Sequence, residues 1–187
     1  MKYQMPAKAN LRGRSSTISN AFAISITPYI TPNESEVNDS YKALQIEEGQ
    51  CAYCLKEGNG KDHLKPLVRN GMPTGYITSI ENLIPTCSAC NSSKGAKEFK
   101  LWYLSEQNVT RLKNKGLDDS TINERYRIIC AYEEKTKGPI DYEEIVGKEL
   151  WDEYKRRKSD LINKLNEEQE FCDKLNKIIM DKLSEKE

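Results

Sequence analysis

Two short cysteine pairs, CAYC at Cys51 and Cys54 and CSAC at Cys87 and Cys90, constrain this chain more than any other feature. With 32 residues between them, the pairs can bring four thiolates into a tetrahedron around Zn²⁺, each sulfur about 2.3 Å from the ion. A centre with sulfur in all four positions leaves no place for water or substrate, so the expected zinc is structural and any hydrolytic chemistry lies elsewhere. Such an ion supplies on the order of 10 kcal/mol or more toward folding in small domains. That is enough to order a stretch rich in Gly, Asn and Pro and poor in helical periodicity. Two disulfides, or four unrelated core residues, are the competing readings. The N-terminal MKYQMPAKANLRGR lacks the apolar core of a secretory signal, and the expected compartment is a reducing cytoplasm, where paired cysteines favour metal. Cys130 and Cys172 fall in helical patterns and read as ordinary buried residues.

The chain has 187 residues, 37% hydrophobic and 31% charged, which describes a globular protein and not a disordered one. No apolar run is long enough for a bilayer, so no membrane partner is expected. A formal net charge of zero excludes nucleic-acid binding by bulk charge alone. The distribution is uneven: residues 48 to 100 carry 7 Lys or Arg against 5 Asp or Glu, and residues 101 to 187 carry 17 against 20. A polyanion site therefore belongs in the first hundred residues.

Three regions follow. Residues 1 to 47 hold a basic, Ser-rich piece, LRGRSSTISN, and an apolar one, AFAISITPYITP, read as a short helix or strand ending at Pro28 and Pro32. Residues 48 to 104 form the cysteine-framed core. Residues 105 to 187 are helical, with KEFKLWYLSEQ leading into them. Asp119 or Ser120 caps the DDSTINERYRIICAYEEKT helix, and Gly138-Pro139 makes a break. From Lys148 onward nothing interrupts a helix, and 40 residues would reach roughly 60 Å. Ile162, Leu165, Cys172, Leu175, Ile179 and Leu183 mark one apolar face of it. This stripe packs on the chain's own helices or forms a dimer seam.

Between the cysteine pairs lie Asp62, His63 and Asn82, and just past them Asn91 and Lys94. His63 is the single histidine of the chain. In HLKPLVRNGMPTGYIT, two extended pieces flank an Arg-Asn-Gly turn, and CSACNSSKGAKEF opens a helix, giving the order strand, loop, strand, helix. A neutral imidazole can take a proton from water at physiological pH. Asp62 offers a carboxylate and Asn91 an amide oxygen to a hard cation such as Mg²⁺. Neighbours on a strand face opposite ways, so Asp62 and His63 need an irregular backbone to serve one phosphate. Each residue also has a plainer reading: His63 as a satisfied half-buried ring, Asn82 as a turn residue, Asn91 as a helix cap, and Lys94, Lys97 and Lys100 as a solvated face. Arg12 and Arg14 read as exposed more readily than as phosphate contacts.

The strings DHLKP and GYITSIENLIPTCSACNSSKG, set within the CxxC frame, resemble the HNH endonuclease family over residues 51 to about 100. The resemblance implies an α+β fold with a small ββα-metal core stapled by a four-cysteine zinc site. It implies His63 as general base, Asp62 and Asn91 on a catalytic metal, and Asn82 holding the loop that orients the histidine. Lys94, expected in the first turn of a helix, would neutralise a phosphate oxygen. Asn91 stands where the family name has a histidine, which favours Mg²⁺ or Mn²⁺ at the catalytic position. The flanking regions suit a restriction-type enzyme of bacterial kind, acting on double-stranded DNA as a homodimer with a cognate DNA methyltransferase as genetic partner. A homing, phage or nicking nuclease and a non-catalytic zinc ribbon are the alternatives.

Overall fold

The computed structural model describes residues 5 to 185. The fold is α+β: small two-stranded sheets among helices, with the four cysteines clustered. The chain divides into two compact units. The larger runs from Ile26 to Asp141 and contains the expected core of residues 48 to 104; the smaller holds the described residues up to Ser25 and those from Tyr142 onward.

In the larger unit, α2 (Glu34–Leu44) starts at a reciprocal cap, in which Asn33 Oδ1 accepts from Glu36 N and Glu36 accepts from Asn33 N. This settles two of the donors that a helix start leaves open. Strand β1 (Gly60–His63) pairs antiparallel with β4 (Leu83–Thr86), and Asp62 lies opposite Ile84 and His63 opposite Leu83. Between them β2 (Val68–Arg69) and β3 (Met72–Pro73) form a hairpin. Its two turn residues, Asn70 and Gly71, both have positive φ, at 52° and 70°, the geometry that twists a two-residue hairpin correctly. The two extended pieces expected on either side of the Arg-Asn-Gly turn are this hairpin, with only two residues paired in each, and neither is the partner of β1. The segment LIPT takes that place, its apolar Ile84 fully buried in the core cluster with Phe99, Trp102 and Tyr103, and α3 (Ser88–Lys94) follows it.

After α3 come α4 (Phe99–Tyr103), α5 (Glu106–Asn114) and α6 (Asp119–Glu133). The expected continuous KEFKLWYLSEQ helix is broken at Leu104, and Ser105 caps α5 by accepting from Asn108 N. The cap of α6 is Asp118, one residue before the expected position, its carboxylate accepting from Thr121 N at 2.7 Å. The middle segment also has more core than its composition promised. Cys51, Ala52, Tyr53 and Cys54 are fully buried against Phe99, Trp102 and Tyr103. Tyr103 donates its hydroxyl to Tyr53 O at 2.8 Å, and Arg125 Nε donates to Ala52 O at 3.0 Å. The CAYC turn is therefore anchored by residues up to 73 positions away. It does not depend on metal alone.

In the smaller unit, α1 (Ser15–Ile24) packs on α8 (Lys148–Ser184), which follows α7 (Tyr142–Val146) through Gly147. Phe22 meets Tyr154 at 5.0 Å between ring centroids, and Trp151 stacks between Tyr142 and Tyr154. The 37 residues of α8 span roughly 55 Å. Its expected apolar stripe is covered only in part. Ile162 and Leu165 are half-buried, but Leu175, Ile179 and Leu183 are 43%, 56% and 56% exposed. Cys172, expected to be buried, is exposed, and Cys130 is only half-buried. No described helix is long and apolar enough to cross a membrane.

Candidate functional site

The turn after Cys51 brings the first two sulfurs together. Cys51 N donates to Lys56 O at 2.7 Å, and Leu55 N to Cys51 O at 2.8 Å, with Leu55 in the left-handed region at φ 57°. Gly58 then passes so close to the start of α3 that a Cβ there would lie 2.7 Å from both the Thr86 carbonyl carbon and Cys87 N. That passage sets the CAYC turn against the CSAC pair. The Sγ atoms of Cys51, Cys54, Cys87 and Cys90 all fall within 4.8 Å of one another, and Cys54 and Cys87 are 3.8 Å apart. Sulfurs about 2.3 Å from a tetrahedral zinc stand about 3.8 Å from each other, so the four ligands fit such an ion. Crowding makes the thiols unequal. Hydrogen bonds from Cys54 and Cys90 hold Cys51 far below the usual thiol range, while Cys51 and Cys54 together push Cys90 up. Two cations from beyond the cysteine frame reach the same sulfurs: Lys115 Nζ lies 3.5 Å from Cys54 and Cys87, and Arg111 Nη1 lies 3.4 Å from Cys90. Neither had a signature in the sequence, because they come from the far end of α5.

Asp62 is 7% exposed and Lys94 is fully buried. Lys94 Nζ sits 3.2 Å from Asp62 Oδ2 and donates to His63 O at 2.7 Å, and Tyr53 OH donates to Asp62 Oδ2 at 2.8 Å. Burial first, and then the Asp62 charge, raise Tyr53 well above the usual phenol range, so it stays a donor. The expectation for Lys94 needs correction. Helix α3 starts at Ser88, and Lys94 is its last residue. Its ammonium therefore lies at the wrong end to share the positive pole of the helix, and it neutralises Asp62 and not a phosphate at the surface. A buried carboxylate without a partner would be costly, which accounts for the choice. Asn91, one turn earlier on α3, donates Nδ2 to Lys61 O at 3.3 Å. Its amide thus lies against the peptide that leads into Asp62. Asp62 and Asn91 offer hard oxygens, the donor chemistry that suits Mg²⁺ or Mn²⁺.

His63 turns elsewhere. Its ring is half-buried, and Nε2 lies 3.0 Å from Thr78 Oγ1. Burial pushes its pKa below the ordinary 6.5; the Asp62 charge opposes this and the Lys94 charge adds to it. The regular β1–β4 register keeps the alternation of the strand, and the two neighbours find separate partners. Thr78 is itself fixed, since Thr78 N donates to Pro28 O and Ile30 N to Thr78 O. Beyond His63, the buried Asn82 brackets the turn. Its Oδ1 accepts from Lys65 N at 2.8 Å, and its Nδ2 donates to Lys65 O and Ile77 O at 3.1 and 3.0 Å. Lys65 also pairs with the buried Glu133 at 3.0 Å. Thr78, Tyr53 and Glu133 carried no spacing signal, because each reaches the site only through the tertiary path of the chain.

Residues 51–97 match the HNH endonuclease family. Over 66 residues the chain is 38% identical to the CRISPR-associated endonuclease Cas9 of Corynebacterium diphtheriae, an alignment covering 33% of this chain and 6% of that protein. No solved structure matches. The chain spans only a small fraction of that relative's length, and the family match falls on the stretch that carries the four cysteines, Asp62, His63, Asn82 and Asn91. By that match, and by the cysteine cluster that frames it, the segment from residue 51 to 97 is similar to an HNH endonuclease core.

Proposed function

We propose that the chain is a metal-dependent endonuclease that hydrolyses phosphodiester bonds of double-stranded DNA, with Zn²⁺ in the four-cysteine centre. The observation that carries this reading is the placement of His63: a half-buried imidazole at the end of a strand, its pKa pushed down by burial, inside a segment that matches the nuclease family, with one nitrogen bonded to Thr78. A neutral ring so held can take the proton of an attacking water, a contribution of roughly 10² to 10⁴ in rate. Thr78 fixes the rotation of the ring, and Lys94 fixes the backbone beneath it through the His63 carbonyl. Asn82 holds the following turn through the Lys65 amide and carbonyl. Asn91 and Asp62, the latter also bonded to Lys94 and Tyr53, would hold a Mg²⁺ or Mn²⁺ ion, and His63 would reach the same phosphate from the last residue of β1, where the strand pairing ends. When bound, that ion supplies Lewis-acid stabilisation of the charge that develops on the phosphate and the leaving oxygen.

The zinc contributes structure and not chemistry, because four thiolates complete its coordination. A reducing, cytoplasmic setting keeps those thiols available to it. Phosphate contacts carry no sequence information, so a compact core of this kind draws target choice from its flanks. The reading is of a restriction-type enzyme, two copies of which meet a symmetric site, with a methyltransferase protecting the host's own copies of that site. The test is to incubate plasmid and genomic DNA with the protein in Mg²⁺ or Mn²⁺ and to sequence the cut ends. A single recurring sequence at the ends is expected. Intact DNA with both ions would overturn the nuclease reading, and ends without a common sequence would overturn the restriction-type one.

A further inference from the structure

The four-cysteine centre is not closed by its ligands alone. Lys115 Nζ lies 3.5 Å from Cys54 Sγ, 3.5 Å from Cys87 Sγ and 3.9 Å from Cys90 Sγ, so one ammonium covers the face that three of the sulfurs define. Arg111 Nη1 approaches Cys90 at 3.4 Å, one turn earlier on the same helix. Both cations are set in place by the fold. Asn108 Oδ1 accepts from Arg111 Nε and Nη2 at 3.0 and 2.6 Å, and the guanidinium lies 5.7 Å from the centroid of the Trp102 ring. Lys115 stands at the C-cap of α5, where Lys115 N donates to Leu112 O and the chain turns away through Gly116 at φ 92°. The same helix offers other cations: Lys113 turns outward to pair with Asp119, and it is Arg111 and Lys115 that face the sulfurs.

Charge explains the arrangement. Four thiolates around a divalent ion carry a formal charge of minus two, and a part-buried anion of that size is costly unless it is neutralised. One guanidinium and one ammonium bring the sum to zero. Hydrogen bonds donated to the sulfurs also draw electron density from them, which makes the thiolates weaker nucleophiles toward oxidants and alkylating agents.

We propose that Arg111 and Lys115, which lie outside the matched segment of residues 51–97, complete the metal centre as its counter-cations, so that α5 is latched to the nuclease core through the metal. The inference rests on the reading that the centre holds Zn²⁺. It assigns α5 a definite task, which is to slow the loss of the ion and shield its thiolates.

Zinc content of the purified wild-type chain by elemental analysis comes first, and it tests the zinc reading by itself. A zinc-free, folded wild type would sink that reading, and this inference with it. Given one zinc per chain, the latch is measured as the rate of zinc transfer to a chromogenic chelator and of cysteine alkylation. The variants are Lys115→Gln, Lys115→Arg, Arg111→Met and, as control, Lys113→Met. Lys115→Gln and Arg111→Met should release zinc and expose thiols about 10 to 100-fold faster, the usual scale for losing an outer partner of a metal site. Lys115→Arg and Lys113→Met should stay near wild type. Hydrogen exchange should show α5 amides opening faster in the two fast variants. Equal release from Lys115→Gln and Lys115→Arg would overturn the proposal, because the charge would then be irrelevant. Release from Arg111→Met at the wild-type rate would do the same for the guanidinium.

Discussion

Lys94 shows how one buried charge organises this site. Its ammonium is wholly enclosed and bonds to Asp62 and to the His63 carbonyl, so it ties the carboxylate and the imidazole-bearing peptide into one unit. Lys94→Met would leave Asp62 buried without its counter-charge, a loss of about 3 to 5 kcal/mol that chemical denaturation would register. Asn82→Ala would strand the Lys65 amide and carbonyl and the Ile77 carbonyl; a loss of about 1 to 3 kcal/mol is expected. His63 makes the site sensitive to pH. The folded chain holds the His63 proton less tightly than the unfolded chain does. Unfolding therefore takes up a proton in the window below pH 6.5, and stability falls as pH drops from 6.5 through the folded value. If His63 is the general base as proposed, cleavage should lose rate over the same window, with the midpoint of its acid limb below 6.5. An acid limb centred above 6.5 would contradict the burial argument. At this scale the residue types of the site could be read in the sequence, since Asp62, His63, Asn91 and Lys94 belong to one strand and one helix. Their partners could not, because Thr78, Tyr53 and Glu133 meet them only through long-range packing.

At the scale of elements, a tight fit occurs where Gly58 passes the end of β4. A methyl group at this position would press on the Thr86 carbonyl carbon and on Cys87 N, both at 2.7 Å. These are backbone atoms that cannot rotate away. Gly58→Ala is expected to cost about 1 to 3 kcal/mol and to lower zinc content, read by thermal denaturation and metal analysis. The cysteine frame itself was plain in the sequence, because a CxxC spacing implies a turn whatever surrounds it. The choice of β4 as partner to β1 was not. LIPT lies outside the two extended pieces that flank the Arg-Asn-Gly turn, and its pairing with β1 places Ile84 in the buried core. The break between α4 and α5 was likewise hidden, since Ser105 is an ordinary helix residue until its hydroxyl finds Asn108 N.

For the whole molecule, order in the unit from Ile26 to Asp141 has two sources, the four-cysteine centre and the aromatic cluster behind it. Removal of the metal should therefore loosen the centre before the helices. Hydrogen exchange after chelation is expected to rise in β1, β4 and the CAYC turn, while α6, anchored by Ile122, Ile129 and Tyr132, remains protected. Uniform loss of protection would show that the metal alone orders the unit. The role of His63 is decided by cleavage of supercoiled plasmid, with wild type and His63→Ala compared at equal zinc content and equal helical signal. His63→Ala should keep its fold and its zinc and lose about 10² to 10⁴ in rate. Cleavage by His63→Ala at the wild-type rate would contradict that role.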